Sequence, residues 1–239
     1  MKLPNRIKPC PIIEAIIEIR FIPSVPAEAI FGLLYSNIKD RYSKIEKLPI
    51  LELPEAIRNR DINLKYKPYH KLLRDKYTVM IGPRVLSIAV TGNYPGWNHF
   101  YPEVDWIIQK ADNAGIFNKL ERYSLRYINF FDLNIFNNIR LNISLSGDDI
   151  KSDESFYRTT LSTEDLKTVL QISNSVSINV DKKVRLGSII DIDVSSREVE
   201  QSFIHNRESI LNKMHTGEKK VFFNLLTESF LKSFNPEYD

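Results

Sequence analysis

Cysteine is nearly absent from this chain: Cys10 is the only one in 239 residues, so no internal disulfide can form. A reducing, cytoplasmic setting is the expectation. Glycine is also scarce. Its eight positions give neither a phosphate-binding loop nor a dinucleotide fingerprint, which disfavours a kinase, an NTPase or a nicotinamide enzyme of the usual folds. Neither a Gly-x-Ser-x-Gly elbow nor a His-Glu-x-x-His helix occurs. No run approaches the ~18 apolar residues of a membrane helix, and MKLPNRIKPCP at the N-terminus lacks the apolar core of a signal peptide. Net charge is small as well. With 33 Lys and Arg against 30 Asp and Glu, the balance of +3 excludes a globally basic nucleic-acid binder and an acidic disordered tail. No Ser/Gly-rich or Pro-rich tract separates domains, so residues 1–239 are expected to form a single body.

What is present is a hydrophobic fraction of 43 %, enough for a sizeable core. Ile13, Ala15, Ile17, Ile19 and Phe21 alternate with Glu14, Ile16, Glu18 and Arg20, the period of a half-buried strand. Pro26 and Glu28 then suit a helix start, and Ile30, Leu33, Leu34, Ile38 and Tyr42 form a helical stripe ending near Ser43. Short extended runs are predicted at Ile50–Leu53, Asn63–Lys67, Lys76–Ile81 and Val85–Val90. A second helix should start within a few residues of Trp97, because Pro102 suits only a first turn, and should be capped by Gly115.

The second half repeats this order loosely. Strands are predicted at Tyr123–Phe131, Asn138–Leu145, Phe156–Leu161, Thr168–Val180 and Val184–Val194, with a charged loop over Gly147–Ser155. Ser195 with Glu198 has the form of a capping box opening a helix, which Gly217 should interrupt before a final helical stretch. These patterns predict an α+β fold: antiparallel sheet with long helices packed on one face. Two similar halves, 1–118 and 119–239, are the alternative division.

Three groups of residues carry candidate chemistry. First, strand geometry projects Asp191 and Asp193 to the same side, where Glu14 and Glu18 can join them. Paired carboxylates suit a divalent cation that organises phosphate oxygens, but Arg20, Arg126 and Arg185 are equally available as ion-pair partners. Second, the first 120 residues hold 18 basic and 12 acidic side chains, and the densest excess is Arg58, Arg60, Lys65, Lys67, Lys71, Arg74, Lys76 and Arg84 against Asp61 and Asp75. With Lys65 and Lys67 on one strand face and Tyr69, His70 and Tyr77 interleaved, the segment suits a polyanion; a solvated, edge-protecting hairpin is the plainer alternative. Third, Tyr94, Trp97, Phe100, Tyr101 and Trp106 crowd one turn and helix, as a partner-binding hot spot or as a clamp on the sheet.

Cys10 lies between prolines with nothing nearby to activate its thiol. On a helix, His205 and His215 diverge by about 80°, so they make no metal pair. No catalytic residue and no cofactor is assigned.

The strings Pro11-Ile-Ile-Glu-Ala-Ile-Ile-Glu-Ile-Arg-Phe21, Tyr94-Pro-Gly-Trp97, Arg126-Tyr-Ile-Asn129, Asp191-Ile-Asp193 and the stretch from His215 through Phe222 to Leu226-Thr227 follow one another along nearly the whole chain. In this order they resemble a sporadically distributed bacterial family of proteins of about this length, without an assigned activity. The resemblance implies a cytoplasmic protein of an accessory or antiviral defence system and carries over no catalytic roles. The expected function is non-enzymatic recognition of a protein partner, with no membrane role. Nucleic-acid or nucleotide binding through residues 58–84 is the alternative, and metal-dependent phosphate chemistry at Asp191 and Asp193 the second alternative. Homo-oligomerisation is left open.

Overall fold

The period-two segment near the N-terminus forms β1 (Ile12–Pro23), and its odd positions Ala15, Ile17, Ile19 and Phe21 are completely buried. Ile17, Ile19 and Phe21 each contribute roughly 1.5–3 kcal/mol of burial, so the alternation ties this strand's register to the core. A computed structural model describes residues 2–146, 148–149, 154–180 and 183–238 of the chain. After β1 come α1 (Ala27–Ile38), β2 (Lys44–Lys47), α2 (Glu55–Arg60), β3 (His70–Arg74), β4 (Tyr77–Gly82), β5 (Val85–Thr91) and α3 (Trp97–Asn113). The remainder comprises β6 (Phe117–Phe131), the two-residue strands β7 (Ser144–Leu145) and β8 (Asp148–Asp149), β9 (Phe156–Ser162), β10 (Leu166–Val180), β11 (Lys183–Ser196), α4 (Phe203–Leu225) and α5 (Glu228–Lys232).

Nine strands join one antiparallel sheet in the order β2-β3-β4-β5-β1-β6-β11-β10-β9. The protein is therefore α+β. β1 lies at the centre, between β5 and β6. Its register places Ala15 opposite Val90 and Tyr127, while Glu18 lies opposite Ser87 and Ser124. Alternation persists in β11, where Ser188, Ile190, Ile192 and Val194 are fully buried. Helix α4 lies against β11, β6 and β10, α3 against β5, α1 and α4, and α1 against β4. A continuous cluster of buried side chains runs from Ile7 to Phe234.

Several local expectations are corrected, each by a competing interaction. Ile50–Leu53 is not extended, because Pro49 opens a 3-10 turn over Pro49–Glu52. Asn63–Lys67 is not a strand either: Asp61 accepts a hydrogen bond from the Asn63 amide at 2.8 Å and caps a 3-10 turn at Ile62–Leu64. Lys65 and Lys67 consequently share no strand face. In place of a strand from Asn138, Asn134 caps the 3-10 turn Ile135–Asn138, and only Ser144–Leu145 is extended. Within the expected loop Gly147–Ser155, residues 147 and 150–153 lie outside the described residues, and Asp148–Asp149 pairs with Ser144–Leu145.

Ser195 caps nothing; it is a strand residue opposite Ser124 and Lys167, and α4 begins only at Phe203. Ladder pairing on both sides outweighs a cap worth about 1 kcal/mol. Gly217 does not interrupt α4. A Cβ there would stand 2.8 Å from Leu166 Cδ1, so the residue admits close approach of helix and sheet. Helix α1 ends at Ile38 instead of near Ser43, and Pro102 is the sixth residue of α3, beyond its first turn. Gly115, with φ of 65°, follows α3 and donates its amide to the Asp112 carbonyl, as a C-terminal glycine cap should.

Candidate functional site

The even positions of β1 lie on the face opposite its core-facing side chains, together with Ser124 and Arg126 of β6, Asp191 and Asp193 of β11, and Gln171 of β10. Their side chains are joined diagonally across four strands. Arg122 donates to Glu18 at 3.0 Å, to Ser124 at 2.8 Å and to Asp193 at 2.6 Å. Glu18 also accepts from Arg20 at 2.7 Å. Arg126 grips Asp191 with two donors, Nε and Nη2, and Gln171 donates to the same carboxylate at 3.0 Å. The Asp191 pair raises the Arg126 pKa further, whereas burial raises that of neighbouring Glu14 against the pull of Arg126 and Lys71.

This arrangement brings together Glu18, Asp191 and Asp193 as anticipated from strand geometry, but each carboxylate is held by arginine. Among the described residues, no group of three or more His, Cys, Asp or Glu side chains is disposed to hold a metal ion. Charges that remain a quarter or more exposed, such as Arg122 at 26 % and Arg126 at 39 %, are fixed in orientation yet reachable from solvent. Ile16, Ile128, Ile189 and Val169 alternate with them, half-buried.

The basic segment is dispersed by its own partners. Lys65, Arg84 and the Tyr66 hydroxyl converge on Glu121 at 3.4, 3.0 and 3.1 Å. Burial pushes the Glu121 carboxyl up, but Arg84, Tyr66 and Lys65 together hold it below its ordinary range. Arg74 pairs with buried Glu103, which also accepts from Arg41 and, at 2.7 Å, from the Tyr42 hydroxyl. Lys71 faces Glu46, Lys76 donates to the Asn93 carbonyl, and the Arg58 guanidinium lies over the Tyr69 ring. Arg60 and Lys67 are exposed.

The aromatic group clamps α3 to α4 and β6. Phe100 is completely buried, which leaves it no surface for a partner. Trp97 stacks on His215 at 4.6 Å and donates from Nε1 to Asn212 at 2.7 Å. Tyr94 and Tyr127 hydroxyls meet at 2.9 Å, and Tyr127 reaches His215 Nδ1 at 3.2 Å. Trp106 lies between Arg41 and Lys110, at 4.2 and 5.7 Å, and Tyr101 reaches Asp105. Burial, with a smaller push from Lys219, lowers the His215 pKa to about 4. Glu218, three residues further along α4, is raised by burial to about 8. Glu218 escaped attention in the sequence, although its signal was legible: it interrupts the apolar series Met214, Phe222 at helical spacing.

Cys10 is exposed, and desolvation of its thiol raises its pKa, the reverse of nucleophile activation. Among the described residues, no helix is long and apolar enough to cross a membrane. No protein-family model matches this chain, and no curated protein matches it significantly.

Proposed function

We propose that this chain is a non-enzymatic recognition protein that binds a protein partner across the sheet face bearing Arg122 and Arg126. The long helices α1, α3 and α4 are read as covering the opposite face. The sheet is read as two similar halves meeting at β1 and β6, since each half places its last strand, β5 or β11, beside its first. The carrying observation is the pre-ordered ladder of ion pairs over β1, β6, β11 and β10, interleaved with half-buried isoleucines. Such a surface offers a partner fixed charges and apolar contact at little ordering cost.

Carboxylates occupy Arg20, Arg122 and Arg126, so a phosphate backbone would have to displace them, which weighs toward protein over nucleic acid. Placement in a bacterial accessory or defence system rests on the sequence resemblance alone.

Arg158 and Thr160 of β9 lie exposed on this face, opposite Gln171 and Val169. Capture from the native bacterium should retain a stoichiometric protein at high salt, lose it in Arg158→Glu with Thr160→Trp, and keep it in the α4 control Glu208→Lys. Capture unaffected by the β9 pair removes this face from the proposal. Nucleic acid eluting only at low salt replaces it by the polyanion reading.

A further inference from the structure

We propose that the cleft between α1, α2 and the β4–β5 turn binds a neutral planar heterocycle of nucleobase type. This site is separate from the sheet face and does not depend on the partner reading. Its volume is about 210 Å³. An apolar cavity of roughly 150 Å³ accommodates benzene, so a substituted single ring fits with room for its exocyclic groups.

The walls are built for a flat ring. Phe31 of α1 stacks on His70 of β3 at 3.9 Å, with 18° between the planes. Tyr69, the next wall, carries the Arg58 guanidinium 5.0 Å from its ring centre. Ile81 and the backbone of Gly82 close the sheet side. Aromatic and aliphatic walls of this kind bind heterocycles by stacking, and a few polar groups then set orientation.

Two such groups are present and unused. Arg58 Nε and His70 Nδ1 are both shielded from solvent, and neither has a hydrogen-bond partner among the described residues. Buried polar atoms are nearly always paired, and both nitrogens belong to side chains that line the cleft, so a ligand whose entry turns these side chains supplies the complement. Arg58 Nε–H requires an acceptor. His70 Nδ1 accepts or donates according to tautomer. A ring carbonyl or ring nitrogen beside an N–H satisfies both, and that adjacency is the edge chemistry of a nucleobase.

Charge selects against the obvious competitor, an aromatic acid. Glu28 and Glu55 line the cleft with Arg58. Burial, assisted by Lys47, lowers the His70 pKa and keeps its ring neutral at pH 7. Glu28 and Glu55 balance Arg58 and the Lys47 charge beside His70, so the cleft offers a carboxylate or phosphate no net positive charge. An exocyclic amino group, by contrast, finds acceptors there.

The test titrates the intact chain by calorimetry with adenine, cytosine, uracil and their nucleosides, with benzoate and nucleoside 5′-monophosphates as competitors. A base or nucleoside should bind at least about tenfold more tightly than its monophosphate or benzoate. His70→Phe keeps the ring stack on Phe31 and removes Nδ1. Arg58→Met keeps the aliphatic stem and removes the donor. Each should weaken binding about tenfold or more with an unchanged melting curve. Ala27→Trp, which fills the cleft while removing no polar group, should abolish binding. If His70→Phe fails to fold, Arg58→Met and Ala27→Trp decide. No binding by any base or nucleoside at millimolar concentration overturns the proposal. So does preference for benzoate or phosphate, or binding that survives Ala27→Trp.

Discussion

Glu218→Gln should remove most of the dependence of stability on pH above neutrality. The Glu218 carboxyl is 5 % exposed on the inner side of α4, and burial raises its pKa from 4.5 to about 8. Its charge bears on the buried hydroxyls of Tyr94 and Tyr127, whose own pKa values are raised first by desolvation and further by Glu218. From about pH 6.5 the unfolded chain has already released this proton, while the folded chain keeps it until pH passes through about 8 and has largely lost it by about pH 8.5. Stability therefore falls as pH rises through the folded pKa, and it is fully present only below the unfolded pKa. At ~1.36 kcal/mol per pH unit, with the slope fading near pH 8, the loss over that interval amounts to about 2 kcal/mol. Gln preserves the shape and most of the polarity but binds no proton. Urea melts at the two pH values, for the parent and the variant, measure the difference directly. The variant's stability should change across the interval by about 2 kcal/mol less than the parent's. Equal changes in both proteins would refute the assignment of that proton to Glu218.

The opposite limb belongs to His215, whose pKa burial depresses to about 4. As pH falls below about 6.5 the unfolded chain gains a proton that the folded one refuses, so stability is lost toward pH 4. His215→Phe, which keeps the stack on Trp97, should flatten that acid limb in the same melts. Glu103→Gln leaves Arg41 and Arg74 without their buried carboxylate and should destabilise by about 2–4 kcal/mol in urea; a change under ~0.5 kcal/mol would show the cluster to be dispensable. Arg122→Met strips a donor from Glu18, Ser124 and Asp193 and should cost about 1–2 kcal/mol after allowance for solvent screening. Gly217→Ala gains up to about 1 kcal/mol of helix propensity while its Cβ displaces the movable Leu166 Cδ1, so in urea it should change stability by less than about 1 kcal/mol, and a larger loss would show that Leu166 cannot yield.

Where a segment's own periodicity coincides with its environment, the sequence was sufficient. β1, β10 and β11 were readable because alternate positions meet core and solvent, β5 because its apolar run is buried on both faces, and the C-terminal cap of α3 because only glycine takes the left-handed conformation at Gly115 without strain. Failures cluster where local capping chemistry competes with extension. Asp61 and Asn134 each accept a hydrogen bond from the amide two residues on and turn short apolar runs into 3-10 turns. Ser195 with Glu198 failed for the converse reason: strand partners on either side satisfied a backbone that the capping box would otherwise have served.

Functional side chains divide along the same line. Asp191 and Asp193 were recognisable as same-face carboxylates, because a strand has a fixed period of two. Their capture by Arg126 and Arg122, 65 and 71 residues away, depended on the order β6-β11 and on a diagonal register that no local pattern encodes. The basic run illustrates this further. Composition revealed its charge, but Glu121 and Glu103, which draw in Lys65, Arg84 and Arg74, come from β6 and α3. The cleft required still more of the tertiary structure, since Phe31, Arg58, His70 and Gly82 meet only when α1, α2 and two strands assemble. Sequence alone determined the elements' faces and which familiar motifs the chain lacks. Tertiary structure decided which charges neutralise one another and which polar atoms are left unpartnered, because those outcomes depend on distances between segments remote along the chain.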